Sequence, residues 1–178
     1  MPAGIPRLPL SLAACVLLSA CGVQNTPPAM QSPPAAMEKA VVSPISGDGI
    51  VRWLKETRGK AAVVNLWATW CPPCVAEMPE LNDFHKTADP ARVALLAVSV
   101  DDSSRLASTV VPFVEKHGIV FPVRVLEDTS PDALGAALGI DFSGAVPVTL
   151  LYSATGELVK MWDGEVTARE LREALGGA

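Results

Sequence analysis

Residues that hold metals or bind nucleic acid are scarce in this sequence. It has 2 histidines and 4 cysteines, with no second Cys pair and no Cys/His cluster to complete a zinc site around its single Cys-x-x-Cys. Its 14 lysines and arginines are outnumbered by 19 aspartates and glutamates, a net charge of −5, which argues against nucleic-acid binding by a basic surface. No basic patch for anionic lipid is visible either. Long apolar runs are missing too: residues 8–20 form a stretch too brief to span a bilayer comfortably. No internal repeat is apparent.

What the sequence does contain is a redox motif. Val63-Val64-Asn65-Leu66-Trp67 is an apolar run of strand character, Ala68-Thr69-Trp70 is a short turn, and Cys71-Pro72-Pro73-Cys74 follows where a helix should begin. A nucleophilic thiol must be a thiolate, and unpaired N–H groups and the helix dipole favour negative charge in a first helical turn. Cys71 falls at the N-cap. Cys74 comes one turn later, close enough to close a disulfide and turned further toward the sheet. Cys71 is therefore expected to attack and Cys74 to resolve. Pro72 and Pro73 fit the first two helical positions, where a missing N–H breaks no intrahelical bond. They also remove two donors that would solvate the Cys71 thiolate, so the disulfide should be less oxidising than one with free amides between its cysteines.

The segment Asn65-Leu66-Trp67-Ala68-Thr69-Trp70-Cys71-Pro72-Pro73-Cys74, followed by Glu77-Met78-Pro79, resembles the active-site segment of TlpA-like thioredoxins, the ResA- and CcmG-related, extracytoplasmic, membrane-tethered members of the thioredoxin superfamily. The resemblance spans residues 59–164. It implies a thioredoxin-like α/β fold, with a mixed central sheet flanked by helices and an extra helix–strand insert at residues 105–126. It also implies a thiol–disulfide oxidoreductase that needs no cofactor. Pro147, after Gly144-Ala145-Val146, resembles the cis-proline loop that faces the cysteines in such folds; there, Val146 and Pro147 would bind substrate, the backbone of Val146 pairing with a client strand. The alternative is a trans proline entering an edge strand. Trp70 is expected to shield the disulfide and Trp67 to lie in the core.

Glu77 lies three residues after Cys74 on the same helical face. A buried carboxylate there would take the proton of Cys74 during resolution, with burial raising its pKa toward that task; an exposed helix glutamate is the alternative. TlpA-like proteins carry a glutamate at this offset. Thioredoxin itself uses an aspartate at the strand position that Asn65 fills here, and Asn65 cannot titrate. His85 and His117 are expected to be structural, and Asp101-Asp102 to cap a helix rather than hold a metal.

The start of the chain reads as a targeting segment. Arg7 precedes the apolar residues 8–20, and Leu18-Ser19-Ala20-Cys21 resembles the bacterial lipobox, which implies a signal peptide of residues 1–20 and a lipid on Cys21. An ordinary signal peptide cleaved after Ala20 is the alternative. Gly22, in place of an aspartate, leans toward the outer membrane, with the inner membrane left open. Cys15 is then lost with the signal and Cys21 used as the anchor, leaving Cys71 and Cys74 as the thiols. Residues 21–45, with Pro27-Pro28, Pro33-Pro34 and Pro44, read as a proline-rich tether giving reach from the membrane.

Residues 46–178 are expected to fold as one domain. The pattern predicts a helix over 48–57, strands over 61–67 and 92–100, and a long helix from Cys71 interrupted by Pro79. A helix over 105–117 is expected to stop at Gly118, followed by a strand over 120–126 and a helix from Ser130-Pro131. A hairpin over 148–162 and a final helix opened by the capping box Thr167-Ala168-Arg169-Glu170 complete it. The expected partners are a client protein thiol or disulfide, a membrane thiol transducer as electron donor, and the membrane itself through the lipid anchor. A periplasmic setting follows from the resemblance, with apocytochrome c maturation or copper and oxidase assembly as client classes. The residues leave open a thiol oxidase or isomerase, and a non-catalytic module that holds a partner or Cu(I).

Overall fold

The computed structural model describes residues 40–128 and 130–176; the leader, Cys21 and the tether up to residue 39 lie outside them. The sheet is built around Ala61–Trp67 (β2), whose sequence Ala-Ala-Val-Val-Asn-Leu-Trp is buried from Ala62 onward. A strand with both faces covered needs apolar side chains on both, which is why this run does not alternate. Parallel to it lies β3 (Val93–Ser99), in register from Ala61 opposite Val93 to Trp67 opposite Ser99. The hairpin β5 (Val148–Tyr152) and β6 (Leu158–Asp163) adds two antiparallel strands on the other side, turning through Gly156 at φ +87°.

The remaining two strands are β1 (Val42–Ile45) and β4 (Val123–Leu126), which complete a mixed sheet of order β1-β4-β3-β2-β5-β6. Here the tether expected to run to Ile45 is corrected at its end. Val42 to Ile45 pair in parallel with Val123 to Leu126. Val42 and Ile45 contribute to opposite cores, and Pro44, which cannot donate a ladder bond, is admissible because β1 is an edge strand.

Helices α2 (Pro72–Thr87), α3 (Val111–Lys116) and α5 (Ala168–Gly176) cover one face, with Met78, Leu81 and Phe84 of α2 buried against Val63, Trp67 and Leu95. Helices α1 (Gly47–Glu56) and α4 (Pro131–Leu138) cover the other, over Val64, Leu66 and Leu150. Burying one such aliphatic side chain contributes about 1.5–3 kcal/mol, so the two cores together hold the sheet between its helical layers. Tyr152 ties α4 down: its hydroxyl donates to the Leu138 carbonyl over 2.8 Å. Helix α2 continues through Pro79, which sits on its exposed side.

Two boundaries differ from the sequence expectation. The helix foreseen over 105–117 is divided into a 3₁₀ turn (Ser103–Arg105), a π turn (Leu106–Val110) and α3. Pro112 is the cause: it has no N–H for the carbonyl four residues back, and the chain widens so that the Val111 N–H reaches the Leu106 carbonyl instead. The strand foreseen from Val120 begins at Val123, because the Val120 N–H is taken by the Asn82 side chain over 3.1 Å.

Candidate active site

Where β2 ends, the chain turns tightly, with the Cys71 N–H bonded to the Ala68 carbonyl over 3.2 Å. Cys71 caps α2 with extended backbone (φ −100°, ψ 105°); Pro72 and Pro73 occupy the first helical positions. The Cys74 N–H donates to Cys71 Sγ over 3.2 Å, the one free donor that the two prolines leave in this turn. Cys71 and Cys74 form a disulfide, with Cα atoms 5.3 Å apart. Exposure separates the two: Cys71 retains 4% of its surface and Cys74 none. An incoming sulfur can meet only Cys71. Trp70, beside it, is 63% exposed, an unusual position for an indole.

Against the sulfurs lies the loop before β5. The Val146–Pro147 peptide is cis, as the resemblance implied, and not the trans alternative. The Val146 carbonyl oxygen stands 3.4 Å from Cys71 Sγ. Pro147 is buried and its carbonyl accepts the Gly164 N–H over 2.9 Å, so this loop is fastened to the end of β6.

Beneath the helix sits a polar group in an otherwise apolar layer. Glu77 is buried, one turn beyond Cys74 on α2. Its carboxylate accepts from Asn65 Nδ2 over 2.8 Å and from the Val166 N–H over 3.1 Å. Desolvation dominates and pushes its pKa from 4.5 up to about 7; the two hydrogen bonds oppose the rise and the like charge of Glu165 adds to it. Asn65 points to this face of the sheet because odd-numbered residues of β2 do, together with Val63 and Trp67. Directly opposite it on β5 stands Thr149, whose Oγ1 accepts the other Asn65 Nδ2 hydrogen over 3.0 Å.

The sequence reading missed the support of the turn. Asp101, expected to cap a helix, is buried and instead accepts from the Thr69 N–H (2.9 Å), the Thr69 hydroxyl (2.6 Å) and the Ser99 hydroxyl (2.6 Å). Capping falls to Asp102 alone, which accepts from Ser104 and has its pKa lowered by those bonds. The sheet register explains the pairing: Trp67 and Ser99 are register partners, so Thr69 and Asp101, each two residues further on, share one sheet edge. Glu80 was likewise passed over, and it accepts the Ala168 N–H at the start of α5 over 2.9 Å. His117 stacks on Phe113 at 4.1 Å and His85 meets Phe121 edge-on. Trp67 is fully buried. Among the described residues no group of three or more His, Cys, Asp or Glu is placed to hold a metal.

The profile of the AhpC/TSA family matches residues 38–161, which include the cysteines, Glu77 and the cis-proline loop. The chain belongs to this family. It is 32% identical over 122 residues to the thiol-disulfide oxidoreductase ResA of Geobacillus thermodenitrificans, covering 68% of this chain and 65% of that protein. To ResA of Bacillus thuringiensis it is 31% identical over 131 residues, covering 74% and 69%. The chain thus spans about two thirds of the length of these relatives. A DsbF homologue from Corynebacterium diphtheriae superposes with a TM-score of 0.61 at 25% identity, over 70% of this chain and 76% of that one. The fold is thioredoxin-like, and β4, the strand of the expected insert, lies between β3 and β1.

Proposed function

We propose that this protein reduces disulfides in client proteins outside the cytoplasm, through Cys71 and Cys74. The observation that carries this reading is the Cys71–Cys74 pair at the start of α2, with the cis-Pro147 loop laid against its one accessible sulfur. The Cys71 thiolate attacks one sulfur of the client disulfide; that S–S bond breaks, a mixed disulfide forms and the first client thiolate leaves. Cys74 then gives its proton to Glu77 and attacks Cys71 Sγ, releasing the second client thiolate. Two electrons have passed to the client, and Cys71–Cys74 is left oxidised. Trp70 and the Val146 backbone flank the accessible sulfur and contact the client.

A reductant working in an oxidising compartment must be recharged, and we assign that step to a membrane thiol transducer. Cys21 as lipid anchor, residues 1–20 as its signal and the proline-rich chain after it as tether would keep the domain near that donor, at the outer or the inner membrane. The client classes implied are proteins with paired cysteines awaiting haem or copper, as in cytochrome c maturation or oxidase assembly. Two measurements test the reading together: turnover of insulin disulfides with a dithiol donor, and the equilibrium potential of the Cys71–Cys74 couple. Turnover with a potential near about −270 mV is expected; a value near about −120 mV would make the protein a disulfide donor, and one-to-one Cu(I) retention without turnover would make it a carrier.

A further inference from the structure

Glu77 can exchange a proton inside the core only if its surroundings accept both of its forms. As a carboxylate it needs donors, and it has two, Asn65 Nδ2 and the Val166 N–H. As a neutral acid it carries an O–H that needs an acceptor, and the Val166 N–H cannot serve. A buried hydroxyl left without a partner costs about 1–3 kcal/mol. One uncommitted acceptor lies on the residue already bonded to Glu77: Asn65 Oδ1 is buried and has no partner.

We propose that Asn65 is a positioning residue whose side-chain amide turns over when Glu77 changes protonation, with Thr149 serving as partner in both orientations. With Glu77 ionised, Asn65 Nδ2 donates to Glu77 Oε1 and to Thr149 Oγ1, as observed. With Glu77 protonated, rotation about the terminal torsion brings Oδ1 to the same two neighbours, where it accepts from the Glu77 O–H and from the Thr149 hydroxyl. The exchange is possible because a hydroxyl donates as well as accepts, and because this torsion is two-fold and broad. Asn65 keeps two hydrogen bonds in either state, its unpartnered atom changing from Oδ1 to Nδ2, so the proton that Glu77 takes from Cys74 enters the core with the links to Glu77 and Thr149 kept. An aspartate at 65 would set a like charge against Glu77, and an aliphatic residue would leave the acid form without its acceptor. No other charge enters this cluster from the sheet: Asn65 and Thr149 are neutral, Glu165 faces Glu77 from the loop before α5, and Cys74 on its own helix does not titrate in the disulfide.

This inference rests on Glu77 being the group that receives the Cys74 proton, and the experiment keeps the two apart. The full chain, labelled with ¹³C and ¹⁵N and with Cys71–Cys74 oxidised, is titrated from pH 4 to 9 by NMR, following the Glu77 carboxyl carbon and the Asn65 side-chain NH₂ group. Both are expected to move with one shared midpoint, and the Asn65 signals are expected to become independent of pH in Glu77→Gln. In Asn65→Leu the Glu77 midpoint should rise by about one pH unit, because the charge-assisted bond lost to the carboxylate is worth more than the neutral bond lost to the acid. Asn65 signals that stay fixed while Glu77 titrates overturn the amide exchange and leave the role of Glu77 standing. A Glu77 carboxyl titrating in the ordinary carboxylate range overturns both.

Discussion

Glu77→Gln should make the folded protein more stable at alkaline pH while slowing its chemistry. In the unfolded chain the carboxyl titrates near 4.5; in the fold, burial holds it protonated to about 7. Below the lower value both states bind the proton, and the buried acid carries no electrostatic penalty. As pH rises from 4.5 to 7 the unfolded chain releases the proton while the fold retains it, so stability falls through this window and levels off above it. A gap of about 2.5 pKa units at about 1.4 kcal/mol each makes the full loss about 3.5 kcal/mol. Glutamine cannot ionise and escapes that loss. Its amide replaces one acceptor by a donor, which Asn65 can meet by turning its own amide; we assign this a pH-independent cost of about 1 kcal/mol. Urea unfolding of the oxidised wild-type and variant proteins at half-unit steps from pH 4 to 8.5 gives the difference directly. The variant should be slightly less stable at pH 4, and should gain on wild type by about 3 kcal/mol by pH 8. A difference that is flat across this range would refute the buried, raised carboxyl, and with it the argument for Glu77 as proton acceptor.

The same variant should slow release of reduced client from the mixed disulfide by about 100-fold, the lower end of what a positioned base contributes, as followed by single-turnover quench. Cys74→Ala should accumulate a client disulfide on Cys71 that is visible on non-reducing gels, whereas Cys71→Ala should accumulate none. Asp101→Ala strips three donors of their acceptor, the Thr69 N–H, the Thr69 hydroxyl and the Ser99 hydroxyl, and should cost about 3 kcal/mol in urea. Replacing Pro72 and Pro73 by alanine restores two N–H groups facing the Cys71 sulfur, and the equilibrium potential against a glutathione buffer should move to a less negative value; an unchanged or more negative value would show that these amides do not solvate the thiolate.

Much of the fold could be read from local pattern. The buried run Ala61–Trp67, the proline-started α2 and the capping box were all visible, because their signals lie within a few residues. The box is realised in full: Thr167 Oγ1 accepts the Glu170 N–H at 3.2 Å and Glu170 Oε2 accepts the Thr167 N–H at 2.9 Å. Strand β1 was not legible, since a four-residue edge strand containing Pro44 looks like the proline-rich chain before it and owes its existence to a partner 81 residues away. The break at Pro112 was legible in principle and passed unnoticed. Of the site, the cysteines, Glu77 and Pro147 could be located, but the groups that hold them could not. Asp101 and Thr149 look like ordinary strand-end and strand polar residues until the sheet order places them beside Thr69 and Asn65.

The reductive direction proposed above rests on how little this site does for a thiolate on Cys71. Helix starts that produce strongly oxidising disulfides stabilise the reduced form by solvating its sulfur anion with backbone N–H groups. Here, two of the three nearest amides are replaced by Pro72 and Pro73, and the third, from Cys74, is the remaining donor. Across the site the Val146 carbonyl, at 3.4 Å, presents a partial negative charge to Cys71 Sγ; it accepts an S–H and repels an anion. Both features raise the free energy of the reduced, thiolate form relative to the disulfide, and so push the couple toward giving electrons away. The burden then moves to the second step, where a fully buried Cys74 must lose its proton out of reach of water. A carboxyl held near neutrality one helical turn away is suited to that step. A site built to receive electrons from client thiols would gain from the opposite choices: free amides at the first two helical positions, and no proton acceptor under the second cysteine.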